Sequence, residues 1–302
     1  ILPELGGVGN GVVHGCHAAL VDQVDDELHL VDALEIGVLR GVTGFHQRLE
    51  AALHQIHHAA AQGINILDCW MADPTSRDII GKGIRDNRSH WYIQGHIGST
   101  WKDGQYFRSR DIQYVRPAFE DLLKRLQTDY IDLGMIHYID SEEEWDQIQH
   151  SDYMDYVMEL KSSGVIRHIG MSSHNPKVAV KAAESGYVEM ILFSINPAFD
   201  MLPASDNIDQ MFAEKFDEGL KGIDADRAKL YKVCEQNDVG ITVMKGFAGG
   251  RLFDEKLVVA RHAQLFRQAL TDLTPAAAIL ASNSDDGVHI KTPPKVCSIQ
   301  VL

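Results

Sequence analysis

Short apolar runs recur along this chain of 302 residues, and most are followed by a stretch of helical periodicity. The runs are apolar throughout rather than alternating, the pattern of strands covered on both faces. Several end on a polar residue. Together these features predict an α/β fold, a closed (β/α)8 barrel of TIM type whose parallel strands end at one common mouth. An open doubly wound sheet is the alternative. It needs a glycine fingerprint after its first strand, and GGVGNG at 6–11 neither fits GxGxxG nor sits between a clear strand and helix.

Residues 1–33 read as an irregular segment, either a hairpin plugging one end of the barrel or a disordered arm, and 34–302 as a single barrel domain. The first strand is LEIGVL at 34–39. A helix at 47–62 places Leu49, Leu53 and Ile56 on one face and stops at Gly63. INILD at 64–68 is a strand ending on Asp68, and 76–85 is a helix. WYIQ at 91–94 is a strand followed by Gly95 and His96. A long amphipathic helix spans 111–126 with Asp111 as its N-cap. The strand IDLGMI at 131–136 delivers His137, and the acidic stretch DSEEEWD at 140–146 reads as a loop. The helix at 153–163 is closed by Gly164. VIRHIGM at 165–171 leads to Ser172 and Ser173, and a helix at 176–185 has proline at its start. VEMILFSI at 188–195 leads to Asn196. The polar segment 197–223 is either a lid over the mouth or a solvated loop. A helix at 224–237 precedes VGITVM at 239–244, which ends at Lys245 and Gly246. A helix at 258–270 and a weak strand at 276–281 follow. The tail, 282–302, has no helical pattern, and Thr292-Pro293-Pro294 argues against a final helix.

The net charge is −15 with no basic stripe, which argues against a nucleic-acid partner. No apolar run approaches the ~20 residues of a membrane span, and no secretory signal pattern opens the chain. Cys16, Cys69, Cys234 and Cys297 are scattered and form no CxxC pair. That spacing speaks against a disulfide framework or structural zinc site and fits a reducing, cytoplasmic setting. Nothing in the sequence encodes an oligomeric state.

In a barrel, Asp68, His96, His137, Ser172, Ser173, Asn196 and Lys245 meet at the mouth. Loops can begin with polar residues for no functional reason, but polar groups at so many strand ends point to a site. A carboxylate beside two imidazoles, Asp68 with His96 and His137, can take up and release protons near neutral pH. The same trio could hold a divalent metal and serve a hydrolase, although no HxH pair or further carboxylate stands beside it. Trp70 and Trp101, in stretches after strands, either wall a substrate pocket or pack in the core.

The motifs GINILD, SRDIIGKGI, LQTDYIDLGMIH, GVIRHIGMSSHNP and VGITVMKGFAGGRL resemble the aldo-keto reductase superfamily over 34–281. QGHIGSTWKDGQY and FSINPAFDML resemble more closely its iron–sulfur-associated subgroup, without that subgroup's cluster cysteines. The resemblance implies NADPH- or NADH-dependent reduction of a small-molecule carbonyl. It makes Asp68 the active-site aspartate and His137 the histidine that orients the carbonyl. It also implies a carboxamide-holding pair at Ser172 and Ser173, with the second position changed from asparagine, and Asn196 beside the nicotinamide. Met244, Lys245, Gly246, Ser282 and Asn283 complete the expected cofactor contacts.

Departures from the family pattern carry as much information. No tyrosine stands in CWMADPTSR, where the family places its proton donor, and His96 takes the place of the lysine that serves it. Ile195 replaces the stacking ring and Leu192 the carboxamide-side glutamine. Acid in SNSDD at 282–286 replaces the basic residues that hold a 2′-phosphate, which favours NADH or no cofactor. A His–Asp–His site, with His96 or His137 as imidazolium supplying the proton, is the expectation for an active enzyme. A non-catalytic relative that binds a nucleotide or a partner protein is the alternative.

Overall fold

The computed structural model describes residues 45–196, 199–207, 223–246 and 299–300. Helix α1 (Phe45–Ala61) buries Ala52 and Ile56, and Gly63 at φ +83° turns the chain into β1 (Ile66–Cys69). Helix α2 (Pro74–Ile84) begins where Asp73 accepts a hydrogen bond from the Ser76 amide at 2.8 Å, with Pro74 supplying a pre-set φ at the first position. Strand β2 (Tyr92–Ile97) follows.

Then comes an element the sequence reading did not identify, an antiparallel hairpin of β3 (Ser99–Lys102) and β4 (Gln105–Arg108). Its turn is Asp103-Gly104, with φ of +53° and +76°. Positive φ at both turn residues suits the right-handed twist of a two-residue hairpin, and Asp-Gly is a favoured pair for it.

Helix α3 (Ile112–Leu126) is capped by Asp111, whose carboxylate accepts from the Gln113 amide. It buries Val115, Phe119, Leu122 and Leu126, a stripe at helical spacing worth roughly 1.5–3 kcal/mol per large side chain. Strand β5 (Ile131–Ile136) is buried along its whole length. The acidic stretch after it is not a loop. It forms helix α4 (Glu142–Ile148), capped by Ser141, with Glu142, Glu143 and Glu144 against the positive end of the helix dipole and Trp145 fully buried.

Helix α5 (Asp152–Ser162), β6 (Ile166–Ser173), α6 (Pro176–Glu184) and β7 (Met190–Ser194) continue the alternation. A 3-10 turn at Phe199–Met201 stands within the segment expected to be a lid or loop; of that segment, 197–198 and 208–222 lie outside the described residues. Helix α7 (Ala225–Gln236) and β8 (Gly240–Met244) come next, and β9 (Ile299–Gln300) belongs to the tail. The tail, in which only a final helix was argued against, thus adds a strand. Residues 1–44, 258–270, 276–281 and 282–286 lie outside the described residues.

Sheet order is β8-β7-β6-β5-β2-β1-β9, and every neighbouring pair is parallel. In a flat sheet β8 and β2 would stand about 19 Å apart, four spacings of roughly 4.8 Å. Instead the Thr242 hydroxyl of β8 donates to Gln94 Oε1 of β2 at 2.8 Å. The sheet therefore curls on itself as a barrel does, and its concave side is interior. Leu133, Met135, Met190, Leu192 and Met244 make a small inner apolar cluster, separate from the larger core beneath the helices. Among the described residues no helix is long and apolar enough to cross a membrane.

Candidate active site

Asp68 on β1 and Gln94 on β2 are parallel partners in register, and His96 follows two residues on, on the same face. Gln94 Nε2 and His96 Nε2 both reach Asp68 Oδ1, each at 2.9 Å. His137 follows the last residue of β5, and its amide is held by the Ile97 carbonyl at 2.9 Å. That position brings His137 Nδ1 to 2.8 Å from His96 Nδ1. The expected trio does meet at the strand ends, and its members are wholly or almost wholly buried.

A fourth member comes from the hairpin. The Tyr106 hydroxyl lies 2.7 Å from His137 Nε2. A tyrosine, absent from the stretch after β1, is thus brought to the site from another element. The signal that could have found it is Asp103-Gly104 flanked by strand-forming residues, which marks a hairpin and places Tyr106 on its return strand.

The hairpin is held against the strand ends by several bonds. Ser99 Oγ donates to the Trp70 carbonyl at 2.5 Å, while Thr100 Oγ1, donating to the Phe107 carbonyl, ties the two hairpin strands to each other. Gly98 joins it to β2 at φ +99°; a Cβ there would stand 2.6 Å from Arg110 Nη1 and 2.8 Å from the Ser109 carbonyl, so a side chain is excluded. Arg110 donates to the carbonyls of His137 and Tyr138 at 2.5 and 2.9 Å and pairs with Glu144. The Trp70 indole lies parallel to the His137 ring, 5° between planes and 6.3 Å between centroids, while Tyr106 meets Trp70 edge-on. Trp70 therefore stands at the site. Trp101 is in β3 rather than a loop, half-buried and directly across from Tyr106, a register that puts both on one face of the hairpin.

The proton order follows from the group that can only accept. Asp68 as carboxylate takes the His96 Nε2 proton. Neutral His96 then offers a lone pair at Nδ1 to His137 Nδ1–H, and His137 Nε2 accepts from Tyr106. Burial holds His137 well below the usual imidazole range, and His96, Arg110 and Arg108 push the same way. Of the two expected imidazolium carriers, His137 is thus the poor one; His96 is the one whose ring nitrogen lies 2.9 Å from Asp68 Oδ1. Burial pushes the Tyr106 phenol up to about 12, so it is protonated at neutral pH.

A second chain stands nearby. Asp140, after β5, accepts from the His174 amide at 2.6 Å and meets His174 Nδ1 at 2.9 Å. His174 Nε2 lies 2.9 Å from Lys245 Nζ at the end of β8. Burial by itself would raise the Asp140 carboxyl, but the hydrogen bonds and charge of His174 hold it below its usual range. Burial lowers Lys245 to about 8.

The other expected cofactor residues divide. Ser172 is buried at the end of β6, and no hydrogen bond of its hydroxyl is found among the described residues. Ser173 is committed inward, donating to the Ile139 carbonyl at 2.7 Å. Asn196 is also committed, holding the Lys245 carbonyl at 2.9 Å and the Phe199 amide at 2.8 Å. Met244 and Leu192 pack in the inner cluster, Ile195 packs in the main core, and Gly246 is exposed. Ser282 and Asn283 lie outside the described residues. No cluster of three or more His, Cys, Asp or Glu poised for a metal occurs among the described residues. Asp68 Oδ1, both His96 nitrogens and His137 Nδ1 pair with one another and His137 Nε2 with Tyr106, while buried Asp68 Oδ2 has no hydrogen-bond partner among the described residues.

A model of the aldo/keto reductase family matches residues 43–278. The uncharacterized oxidoreductase YqkF of Bacillus subtilis is 30% identical over 179 residues, 57% of this chain and 55% of that protein. The aldo-keto reductase YhdN of the same organism is 31% identical over 128 residues, 41% of this chain and 37% of that one. The chain spans about half the length of the curated relatives it matches. Among solved structures, the holo form of aldo-keto reductase AKR11C1 from Bacillus halodurans superposes with a TM-score of 0.51 at 21% identity, over 67% of this chain and 59% of that one. This likeness supports the barrel fold read from the curled parallel sheet. The chain belongs to the aldo/keto reductase family.

Proposed function

We propose that the protein reduces a small-molecule carbonyl with NADPH or NADH, and that Asp68, His96 and His137 form the polar centre of the reaction. The observation that carries this reading is the buried hydrogen-bonded run from Asp68 through His96 to His137 at the mouth of the barrel. When bound, the dihydronicotinamide supplies a hydride. Two groups fit such a coenzyme. Ser172 has a hydroxyl with no hydrogen bond among the described residues, suited to a carboxamide. Lys245 Nζ lies 2.9 Å from His174 Nε2 and makes a weak 3.7 Å contact to the Met244 sulfur, which leaves an ammonium proton for a phosphate oxygen. Ser173 and Asn196 fit less well, because both are spent inside the protein. Met244, Gly246, Ser282 and Asn283 remain secondary contacts in this proposal, and Trp70 with Trp101 walls the substrate side.

As hydride arrives, negative charge builds on the carbonyl oxygen and calls for a positioned donor. An imidazolium at His96 is paired with the Asp68 carboxylate, so a proton can be stored there without an unpaired buried charge. Titration of the protein with NADH and with NADPH, followed by tryptophan fluorescence, tests binding; Trp70 at the site serves as reporter. Turnover with a panel of aldehydes and quinones tests reduction. Binding without turnover would instead support the non-catalytic nucleotide-binding reading, which the commitments of Ser173 and Asn196 favour. No binding of either coenzyme would sink the proposal.

A further inference from the structure

We propose that Tyr106, carried in by the β3–β4 hairpin, is the group that hands the proton to the substrate oxygen, and that the His137–His96–Asp68 chain behind it is its proton supply. This rests on the carbonyl-reduction reading above. Both nitrogens of His137 are already engaged, Nδ1 by His96 at 2.8 Å and Nε2 by Tyr106 at 2.7 Å. His137 therefore has no N–H left to aim at a carbonyl. The Tyr106 hydroxyl is the outermost member of the chain, and His137 Nε2 is its one hydrogen-bond partner among the described residues. The half-buried ring is braced edge-on by Trp70.

The chain has two proton arrangements. In the loaded one, His96 carries protons on both nitrogens and is paired with Asp68. His96 Nδ1–H then points to His137 Nδ1, and His137 Nε2–H points to the Tyr106 oxygen. The Tyr106 O–H is left free to face outward. In the discharged one the His96–His137 and His137–Tyr106 bonds are reversed, Asp68 still accepts from His96 Nε2–H, and Tyr106 donates inward to His137. A single turnover converts one into the other. The carbonyl carbon gains the hydride and its oxygen takes the Tyr106 proton. The phenolate oxygen takes the proton from His137 Nε2, and His137 Nδ1 takes the one from His96 Nδ1. The product is the alcohol, with His96 neutral and Asp68 still a carboxylate; solvent restores one proton. With a phenol pushed up to about 12, Tyr106 does not release its proton to water at neutral pH. Its phenolate would be a strong base, quickly refilled by the histidine behind it.

The test uses Tyr106→Phe, which keeps the packed ring and removes only the hydroxyl. Turnover of an aldehyde is expected to fall roughly 10²–10⁴-fold, the usual contribution of a positioned acid, with NADPH or NADH affinity unchanged. The wild-type rate should be slower in D2O, with a curved proton inventory that the variant loses. In the coenzyme-free protein, the 15N resonance of His137 Nε2 should shift on Tyr106→Phe while those of His174 stay. Wild-type turnover in the variant, or an unmoved His137 resonance, overturns the assignment and leaves carbonyl reduction standing with another donor. A wild-type protein that binds nicotinamide yet reduces no carbonyl overturns the reading of the reaction, and this assignment with it.

Discussion

Asp68 and Asp140 each grip a histidine nitrogen at 2.9 Å, yet the chains built on them end in opposite chemistry. The first runs through His96 and His137 to a phenol at Tyr106; the second runs through His174 to an ammonium at Lys245. Burial acts on both end groups in the same sense, favouring the uncharged form. For Tyr106 that strengthens the hold on its proton. For Lys245 it lowers the group to about 8, which leaves it charged at neutral pH but only just. One device, a carboxylate hydrogen-bonded to a histidine, therefore stands behind a phenol in one chain and behind an ammonium lowered to about 8 in the other.

The largest effect that would break this contrast is expected from Asp68→Asn. It keeps the shape but removes the charge that pairs an imidazolium at His96. Turnover should fall roughly 10²–10⁴-fold with the circular dichroism spectrum unchanged; a near-normal rate would mean that His96 stores no proton. Gly98→Ala comes next. Its backbone sits at φ +99° and the new methyl would press on Arg110 and the Ser109 carbonyl. Stability should drop by roughly 1–3 kcal/mol, read by chemical denaturation. Because the hairpin carries Tyr106, turnover should fall while coenzyme binding survives.

Lys245→Met should act on the other side alone. Coenzyme dissociation constants should rise roughly 10–100-fold, the loss of a charge-assisted hydrogen bond of about 1.5–3 kcal/mol, with the turnover number at saturation kept. A drop in turnover without a binding change would put Lys245 in the chemical step instead.

The smallest effect is in pH. Lys245 is charged below about 8 and neutral above it, so coenzyme affinity should weaken as pH rises through 8. His174 and Asp140 face it and Asp68 lies within electrostatic range; Asp140, held below its usual range, is already ionised there, and His174, held low by burial, is already neutral. Affinity in the Lys245→Met protein should stay flat across the same range; a slope that persisted would assign the titration to another group.

Much of the frame was legible in the residues. Runs such as IDLGMI read as covered strands despite Asp132, whose buried carboxylate pairs with Arg88 and Arg167, and Asp111, Gly63, Gly164 and Pro176 marked helix ends by local chemistry that tertiary contacts did not override. DSEEEWD was misread because its charge looked like a solvated loop, whereas Ser141 and three glutamates in sequence also make a helix start. The local half of the commitments of Ser173 and Asn196, accepting from the Asn175 and Phe199 amides, is short-range turn chemistry, but their donation to the Ile139 and Lys245 carbonyls, 34 and 49 residues away, was out of reach.

The sequence by itself determined that Asp68, His96 and His137 would share one place. Each lies within one residue of the end of a parallel strand, Asp68 and His96 just inside β1 and β2 and His137 just after β5, and parallel strands in a barrel deliver their ends to one side. Only the tertiary structure decided what those residues could do. The direction of a side chain on a hairpin depends on its twist and on what braces it, here Gly98, Arg110, Ser99 and Trp70. Those contacts turn Tyr106 onto His137, 31 residues away in the chain, and make a run of buried imidazoles into a chain that ends in a phenol.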